Sequence, residues 1–238
     1  SLNVVVSDGS NSDTQAIVVN ITNVNDNNPV FTSSTSESIN EGQTSVSTVI
    51  AGDDDGDTIA YSIDSTGRAD HALFSIDAST GALTMAAPDF ESPTDTFGTA
   101  GDNVYGVTVK ATDSGTPANT ATHNISVTVV DTNDNSPVLT AAETYSVAEG
   151  ETAVGTVTTT DADAGATFTY TLSGTDAASF EITNVDGNGV LVFKAASTPD
   201  FETQTSYSLN VVVSDGTNFD GQPIIVNITN VNEAPVIT

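Results

Sequence analysis

The chain has 238 residues, and its 32 Asp and Glu against 3 Lys and Arg give a formal net charge of −29. Nucleic acid and anionic membranes are excluded as partners, because both need clustered basic residues. Cysteine is absent, which excludes disulfides, thiolate metal sites and a Cys nucleophile, and no apolar run is long enough to cross a membrane.

The chain opens on SLNVVVSDGSNSDTQAIVVNITNVN, inside an apolar run and with no signal peptide, and reads as a piece of something longer. Two strands are expected there, with Val4, Val6, Ile17, Val19 and Ile21 facing inward. The run returns from Ser208 with roughly four positions in five unchanged, an offset of 208 − 1 = 207 residues. Each copy ends in an acidic, amide-rich knot: NVNDNNP at 23–29 and NVNEAP at 230–235, with DTNDNSP at 131–137 between them. Asp134 follows Asp26 by 134 − 26 = 108 residues and Glu233 follows Asp134 by 233 − 134 = 99. Residues 1–25 therefore read as the end of a truncated repeat, followed by full repeats over 26–133 and 134–238.

Between the knots, IAYSI (59–63), VYGVTVKAT (104–112), NISVTVV (124–130), FTYTL (168–172), GVLVFKA (189–195) and YSLNVVV (207–213) alternate with period two, the mark of half-buried strands. Val107, Val109 and Ala111 share one face opposite Thr108 and Lys110; Ile125, Val127 and Val129 do the same opposite Asn124, Ser126 and Thr128. DASTG (77–81), TDSGTP (112–117), NVDGNG (184–189) and VSDGT (213–217) supply turns. No useful helical period is present. The expected fold is all-β, an antiparallel β-sandwich per repeat. Asn20, Asn124 and Asn227 sit in glycosylation-type triplets, which read as plain alternation on a polar strand face.

The acids recur in order. The first full repeat carries Glu41, then Asp53 and Asp55, Asp89 and Glu91, Asp113, and the knot with Asp131, Asn133, Asp134 and Asn135. The second carries Glu149, Asp161 and Asp163, Asp200 and Glu202, Asp215, and Glu233. Each acid ends an apolar strand, so each is expected at a pole of its sandwich, with about seven carboxylates gathered at the 131–135 junction. Like charges at 4 Å repel by about 1 kcal/mol per pair in water and by more when partly buried. Ca²⁺ reverses that sign, since it takes about 6–8 oxygen ligands from carboxylates, amides and carbonyls. Mg²⁺ fits a looser shell poorly, and Zn²⁺ is disfavoured with no Cys and only His71 and His123.

The knots resemble the inter-domain linkers of the cadherin repeat family, DxNDN followed by Pro. The DFE triplets at 89–91 and 200–202 resemble its DxE motif, Asp53-x-Asp55 and Asp161-x-Asp163 its DxD, Glu41 and Glu149 its base glutamate, and Asp113 and Asp215 the late Asp of AxD. The resemblance covers essentially the whole chain. It implies tandem Greek-key sandwiches set end to end as a rod, stiffened by about three Ca²⁺ at each complete junction. At 131–135, Glu41, Asp89, Glu91 and Asp134 would hold two ions with Asp163 bridging, and Asn133, Asp161, Asp163 and Asp215 the third, helped by the Asn135 carbonyl. Asp131 and Asn27 are further knot candidates. The junction at 23–27 has Asn25, Asp26, Asp53, Asp55 and Asp113 for one or two ions. The last has Glu149, Asp200, Glu202 and Glu233. Asn23 and Asn230 depart from the first linker Asp, and Glu233-Ala234 from its Asp-Asn.

The expected function is structural: a calcium-binding segment of an extracellular or cell-surface adhesin, its partners being further domains of the same longer chain or a homophilic copy. The Thr, Ser and Asn content with scarce Lys and no Cys suggests a bacterial source. The alternative is a carbohydrate-binding module using Tyr61, Tyr105, Tyr170 or Phe219, most of which read as core. An enzyme is not expected, because the acids repeat identically in each unit and no nucleophile or phosphate motif is present.

Overall fold

The computed structural model describes residues 2–234. The last positions of the expected 134–238 repeat, including Pro235 of its knot, lie outside the described residues. Packing divides the chain into two compact units, the first ending at Val130 and the second beginning at Asp131.

In the first unit the strands are β1 (Leu2–Ser7), β2 (Ser12–Ile17), β3 (Val30–Phe31), β4 (Ser36–Asn40), β5 (Ser45–Thr48), β6 (Ala51–Gly52), β7 (Ile59–Ile63), β8 (Phe74–Ile76), β9 (Ala82–Met85), β10 (Val104–Asp113) and β11 (Thr120–Val130). A sheet of order β4-β11-β10-β7 faces the smaller β5-β9-β8 and β3-β6 sheets, and β1-β2 forms a two-stranded sheet of its own. The second unit has β12 (Val138–Thr140), β13 (Thr144–Ala148), β14 (Ala153–Thr160), β15 (Thr169–Ser173), β16 (Phe180–Val185), β17 (Asn188–Phe193), β18 (Ser206–Ser214) and β19 (Phe219–Thr229). Its two sheets run β13-β19-β18-β15 and β12-β14-β17-β16.

The all-β sandwich expectation holds, with one correction to its antiparallel character. β4 pairs with β11, and β13 with β19, in parallel. The cause is a sheet switch: the chain pairs as β3 with β6, bends, and joins the opposite sheet as β4. The second unit does the same through β12 and β13. One broken first strand thus borders both sheets.

Period-two faces pack as the alternation requires. Val107, Val109, Ala111, Ile125 and Val127 are fully buried and meet Val49 and Leu83 from the facing sheet. In the second unit Val211, Val213, Val226, Val157 and Leu191 are equally buried. Phe180, Phe193 and Tyr207 close that core, with ring centroids 4.2, 5.0 and 5.7 Å apart. Fully burying each large apolar side chain stabilises by roughly 1.5–3 kcal/mol.

Thr108, expected on the open face, is buried as well. Residues 67–70 and 94–103 cover that side of β10. Arg68 N donates to Thr108 Oγ1, its guanidinium lies 4.1 Å from the centroid of the Phe97 ring, and Asp70 accepts from the Gly106 N–H.

The NVDGNG segment makes a two-residue hairpin turn, with Val185 opposite Asn188 and positive φ at Asp186 (50°) and Gly187 (84°). Left-handed values at both central positions favour Asp-Gly there. Gly187→Ala is expected to cost about 1 kcal/mol, read as a lower denaturant midpoint for the second unit with an unchanged slope.

β1 and β2 form, but β2 ends at Ile17, short of the expected Val19 and Ile21, and the apolar residues are exposed rather than inward. Val4 is 47 % exposed, Val6 66 %, Val19 73 % and Ile21 94 %.

Candidate metal centre

Within each unit, acids gather at strand ends for a local reason. A short carboxylate in a turn accepts the N–H groups that the ladder leaves unpaired. Asp53 Oδ1 accepts from Asp55 N at 2.9 Å, and Asp161 Oδ1 from Asp163 N at 3.1 Å. Each acid then offers its second oxygen elsewhere.

In the second unit the pole beside the knot is built from the β14–β15 loop, the β18–β19 turn and residues 131–135. Asp161, Asp163 and Asp215 each place one carboxylate oxygen within 4.8 Å of the others, and the last two are only 6 % and 7 % exposed. Asn135 donates to Asp163 from its backbone N (3.1 Å) and from Nδ2 (2.8 Å), and Ala164 N donates to Asp131 Oδ2 at 2.6 Å. Asp215 Oδ1 accepts from Thr217 N and Asn218 N, both at 2.6 Å. The Asn133 amide ends 3.2 Å from both Asp163 Oδ2 and Asp215 Oδ2. With its NH₂ toward them it donates to both. Turned the other way, its oxygen joins the two carboxylate oxygens as a third acceptor, an arrangement that a cation would satisfy.

The donor set fits a hard cation. Asp161 Oδ2 and Asp131 Oδ1 are buried without a hydrogen-bond partner, and leaving such groups unsatisfied costs about 1–3 kcal/mol each. With 3 basic residues against 32 acidic ones in the whole chain, few carboxylates can be neutralised by Lys or Arg. An all-oxygen set of carboxylates and an amide is what Ca²⁺ takes. Asp161, Asp163, Asp215 and Asn133 would hold it.

The first unit repeats the construction at residues 23–27. Asn27 donates to Asp55 from N (2.9 Å) and Nδ2 (3.0 Å), and the Asn27 backbone N–H, against a burial effect of opposite sign, holds the Asp55 carboxyl below its ordinary range. Asp113 Oδ1 accepts from Asn119 N, Gly115 N and Asn25 Nδ2. Asn25 Oδ1, Asp53 Oδ2 and Asp113 Oδ2 are buried without a partner. Among the described residues, Asp53, Asp55 and Asp113 do not form a carboxylate trio as tight as their counterparts in the second unit. Asp26 is placed by its backbone N–H, which donates to Asp55 Oδ2 at 3.1 Å.

At the opposite ends the glutamates organise the DFE turns. Glu41 Oε2 accepts from Phe90 N at 2.8 Å, and Asp89 Oδ1 from Glu91 N and Ser92 N. Glu149 Oε2 accepts from Phe201 N at 3.0 Å, and Asp200 Oδ1 from Glu202 N and Thr203 N. Glu149, Asp200 and Glu202 bring oxygens within 4.8 Å of one another. The Val231 N–H, then that of Phe201, lowers the Glu149 pKa. For Glu202 its own backbone N–H pulls down, but burial and the charges of Glu149 and Glu233 prevail and raise it. Asn230 Nδ2 donates to Glu202 Oε1 at 2.9 Å, so the Asn that departs from the linker pattern caps this group.

Two residues escaped the sequence reading. Asn119 Nδ2 donates to the Asn27 carbonyl and Asn218 Nδ2 to the Asn135 carbonyl, each at 2.8 Å. These side chains pin the knots to the turn after each late Asp. An Asn six residues beyond Asp113, and three beyond Asp215 in the shorter turn, was the available signal. The aromatic candidates do not form a platform: Tyr61 and Tyr105 are core, Tyr170 Oη is bonded to Thr159 and Gly187, and Phe219 is exposed.

Two β-sandwich units, each with oxygen-rich turns at its strand ends, define a module built from repeats. Residues 34–130 match the family model described as Cadherin domain. It is 33 % identical over 227 residues to mouse "Cadherin EGF LAG seven-pass G-type receptor 2", covering 91 % of this chain and 7 % of that protein. It is 35 % identical over 236 residues to human "Protocadherin Fat 1", covering 92 % and 5 %. The chain thus spans a small fraction of the curated relatives it matches. The fold agrees with the crystal structure of mouse Cadherin-23 EC22-24, at a TM-score of 0.62 and 24 % identity over 94 % of this chain and 72 % of that one. These relatives are mammalian and lend the expected bacterial source no support.

Proposed function

We propose that this segment is a calcium-stiffened spacer of a larger extracellular adhesion protein. The observation that carries the reading is the Asp161–Asp163–Asp215 trio, nearly buried and gathered within 4.8 Å, with a partnerless Asp161 oxygen. Supporting it, the knot at 131–135 follows the Glu41, Asp89 and Glu91 set in the chain and precedes the trio, so ions held there would draw ligands from both repeats and the linker. About three Ca²⁺ at that junction and one or two at 23–27 complete the reading. The immediate partners are neighbouring cadherin-like domains of the same longer chain.

Extracellular calcium modules bind with Kd on the order of 10⁻⁴–10⁻³ M, which suits millimolar calcium outside cells. A flexible linker lets domains reorient by default; shared ions would restrict it. Calorimetric titration of the chelator-stripped chain is expected to give saturable uptake of roughly three or more ions with Kd in the range of such modules. Solution scattering is expected to change between calcium and chelator. No uptake would reduce the knots to turns, and uptake with superimposable scattering profiles would remove the stiffening role.

A further inference from the structure

The β4-β11-β10-β7 and β13-β19-β18-β15 sheets each turn one face away from the core, and the two units treat that outer face differently. In the first unit the connection from β9 to β10, residues 86–103, folds back over it. The Phe97 ring sits so close to Gly106 of β10 that no side chain would fit there, and Arg68 stacks on the ring. Ser208 of β18 is the counterpart of Gly106 in the second unit. It stands seven residues before Asp215 as Gly106 does before Asp113, and its N–H donates to Asp176 as that of Gly106 does to Asp70. The connection from β17 to β18, residues 194–205, is shorter, and its one aromatic, Phe201, packs against the core. Where Phe97 lies in the first unit, the second therefore has an open groove of about 380 Å³, lined by Thr144, Ser208, Pro223 and Ile225, with Glu143 as its one charged residue.

Burial alternates along β18, with Tyr207, Leu209, Val211 and Val213 inward and Ser206, Ser208, Asn210 and Val212 outward. On β13, β15, β18 and β19 the outward positions are Ser, Thr, Asn, Ala, Gly, Val, Pro, Ile and Phe; not one is Asp, Glu, Lys or Arg. In a chain of net charge −29, a second copy can approach this face without bringing like charges together. The face also carries a knob. Phe219, where β19 begins, is 75 % exposed, and Ile225 on the groove is 45 % exposed. The two lie six residues apart on one side of one strand, about 20 Å.

We propose that this outer face is a self-association surface, the Phe219 ring of each copy seating in the groove of the other. A two-fold axis lying between the facing sheets, across β19 at Gln222, sets Phe219 of one copy over Ile225 of the next, and the contact is made twice. Gly221 beside the axis adds no bulk. An aromatic anchor in a pocket, ringed by weaker contacts, is where most of an interface's binding energy resides. Four strands about 4.8 Å apart, in contact over roughly 20–30 Å of their length, give a face smaller than the roughly 800 Å² per partner of a standard interface. The dimer is accordingly weak, with Kd on the order of 10⁻⁵–10⁻³ M. No metal enters the contact, so it stands or falls apart from the calcium reading.

Sedimentation of the full chain from about 10 μM to about 1 mM, in chelator and again in millimolar calcium, tests it. A reversible dimer is expected in both buffers. It should tighten as salt is raised, because salt screens the repulsion between two acidic chains and leaves an uncharged contact alone. F219S and I225S are each expected to weaken it by roughly tenfold or more while unfolding as the parent does, since both side chains are exposed. Mixed in equal amounts, the two variants are expected to recover part of the loss, because the F219S copy keeps its groove and the I225S copy keeps its ring. A chain that stays monomeric at the highest concentration would overturn the proposal. So would a dimer that neither variant weakens, one that salt weakens, or one that chelator abolishes.

Discussion

Asp163→Asn is expected to change sign between two buffers. In chelator it should leave the second unit as stable as the parent or stabilise it by up to about 1 kcal/mol, because it removes one charge from three within 4.8 Å. In millimolar calcium it should be destabilising, because the parent gains RT ln(1 + [Ca²⁺]/Kd), about 1.4 kcal/mol per site at tenfold excess, and the variant loses most of that. The substitution keeps the shape and an oxygen acceptor for the Asn135 N–H, which bonds Asp163 at 3.1 Å; the Asn135 Nδ2 bond to the other oxygen is lost, a cost that the relieved repulsion offsets. The knot should therefore stay docked while the cation affinity falls by roughly tenfold or more, equivalent to about 1.4 kcal/mol. Denaturant midpoints with and without calcium read both arms. Equal destabilisation in both buffers would mean that Asp163 is only a turn cap, and the trio would lose its role as a metal centre.

That experiment separates two parts of the site that were unequally legible in the sequence. The order of acids could be read because each closes an apolar run of period two, and strand ends fall at poles whatever the sheet pairing. The grouping of Asp161, Asp163 and Asp215 could be named through the family resemblance, but how tightly each set closes could not be read. Asp53, Asp55 and Asp113 repeat the order of Asp161, Asp163 and Asp215, yet among the described residues only the second set closes into a tight trio. The turn after Asp113 is longer: its Asn returns a backbone N–H to the acid after six residues, whereas Asn218 does so after three.

The fold shows the same division. IAYSI is β7 to the residue, and the buried faces of β10 and β11 are those that alternation picked out. The sheet switch was illegible because β3 is two residues long, shorter than any period. Burial of Thr108 was illegible because its cover comes from Gly67 and Arg68, far away in sequence. The exposed face of β1–β2 was mispredicted for a related reason. Alternation states which residues share a face, never whether something lies against it.

Asp70→Ala is expected to destabilise the first unit by about 3–5 kcal/mol. The acid belongs to a strongly acidic chain, but it is 3 % exposed and its oxygens are taken up by structural hydrogen bonds. Its oxygens accept from Thr96 N and Oγ1 at 2.7 Å each, from Gly106 N at 2.9 Å and from Phe97 N at 3.3 Å. It therefore joins the 94–103 segment to β10, across 26 to 36 residues of chain. Burial raises its pKa, but the Gly106 N–H and the Thr96 groups outweigh that and leave it below the ordinary value. A depressed carboxyl stabilises fully above the unfolded pKa near ~3.9 and stops doing so as pH falls through its folded value. The gap between parent and variant should thus be constant above about pH 5 and narrow below about pH 4. Asp176 holds the corresponding place in the second unit, accepting from Ser208 N at 2.7 Å and Gln204 Nε2 at 3.2 Å, but it is only half-buried. Asp176→Ala should cost less, about 1–2 kcal/mol, because water can reach the donors it abandons. Equal losses at the two positions would contradict burial as the source of the difference, and a small loss at Asp70 would mean that the 94–103 segment is held by Asp95 and its bonds to Gly101, Asp102 and Asn103 instead.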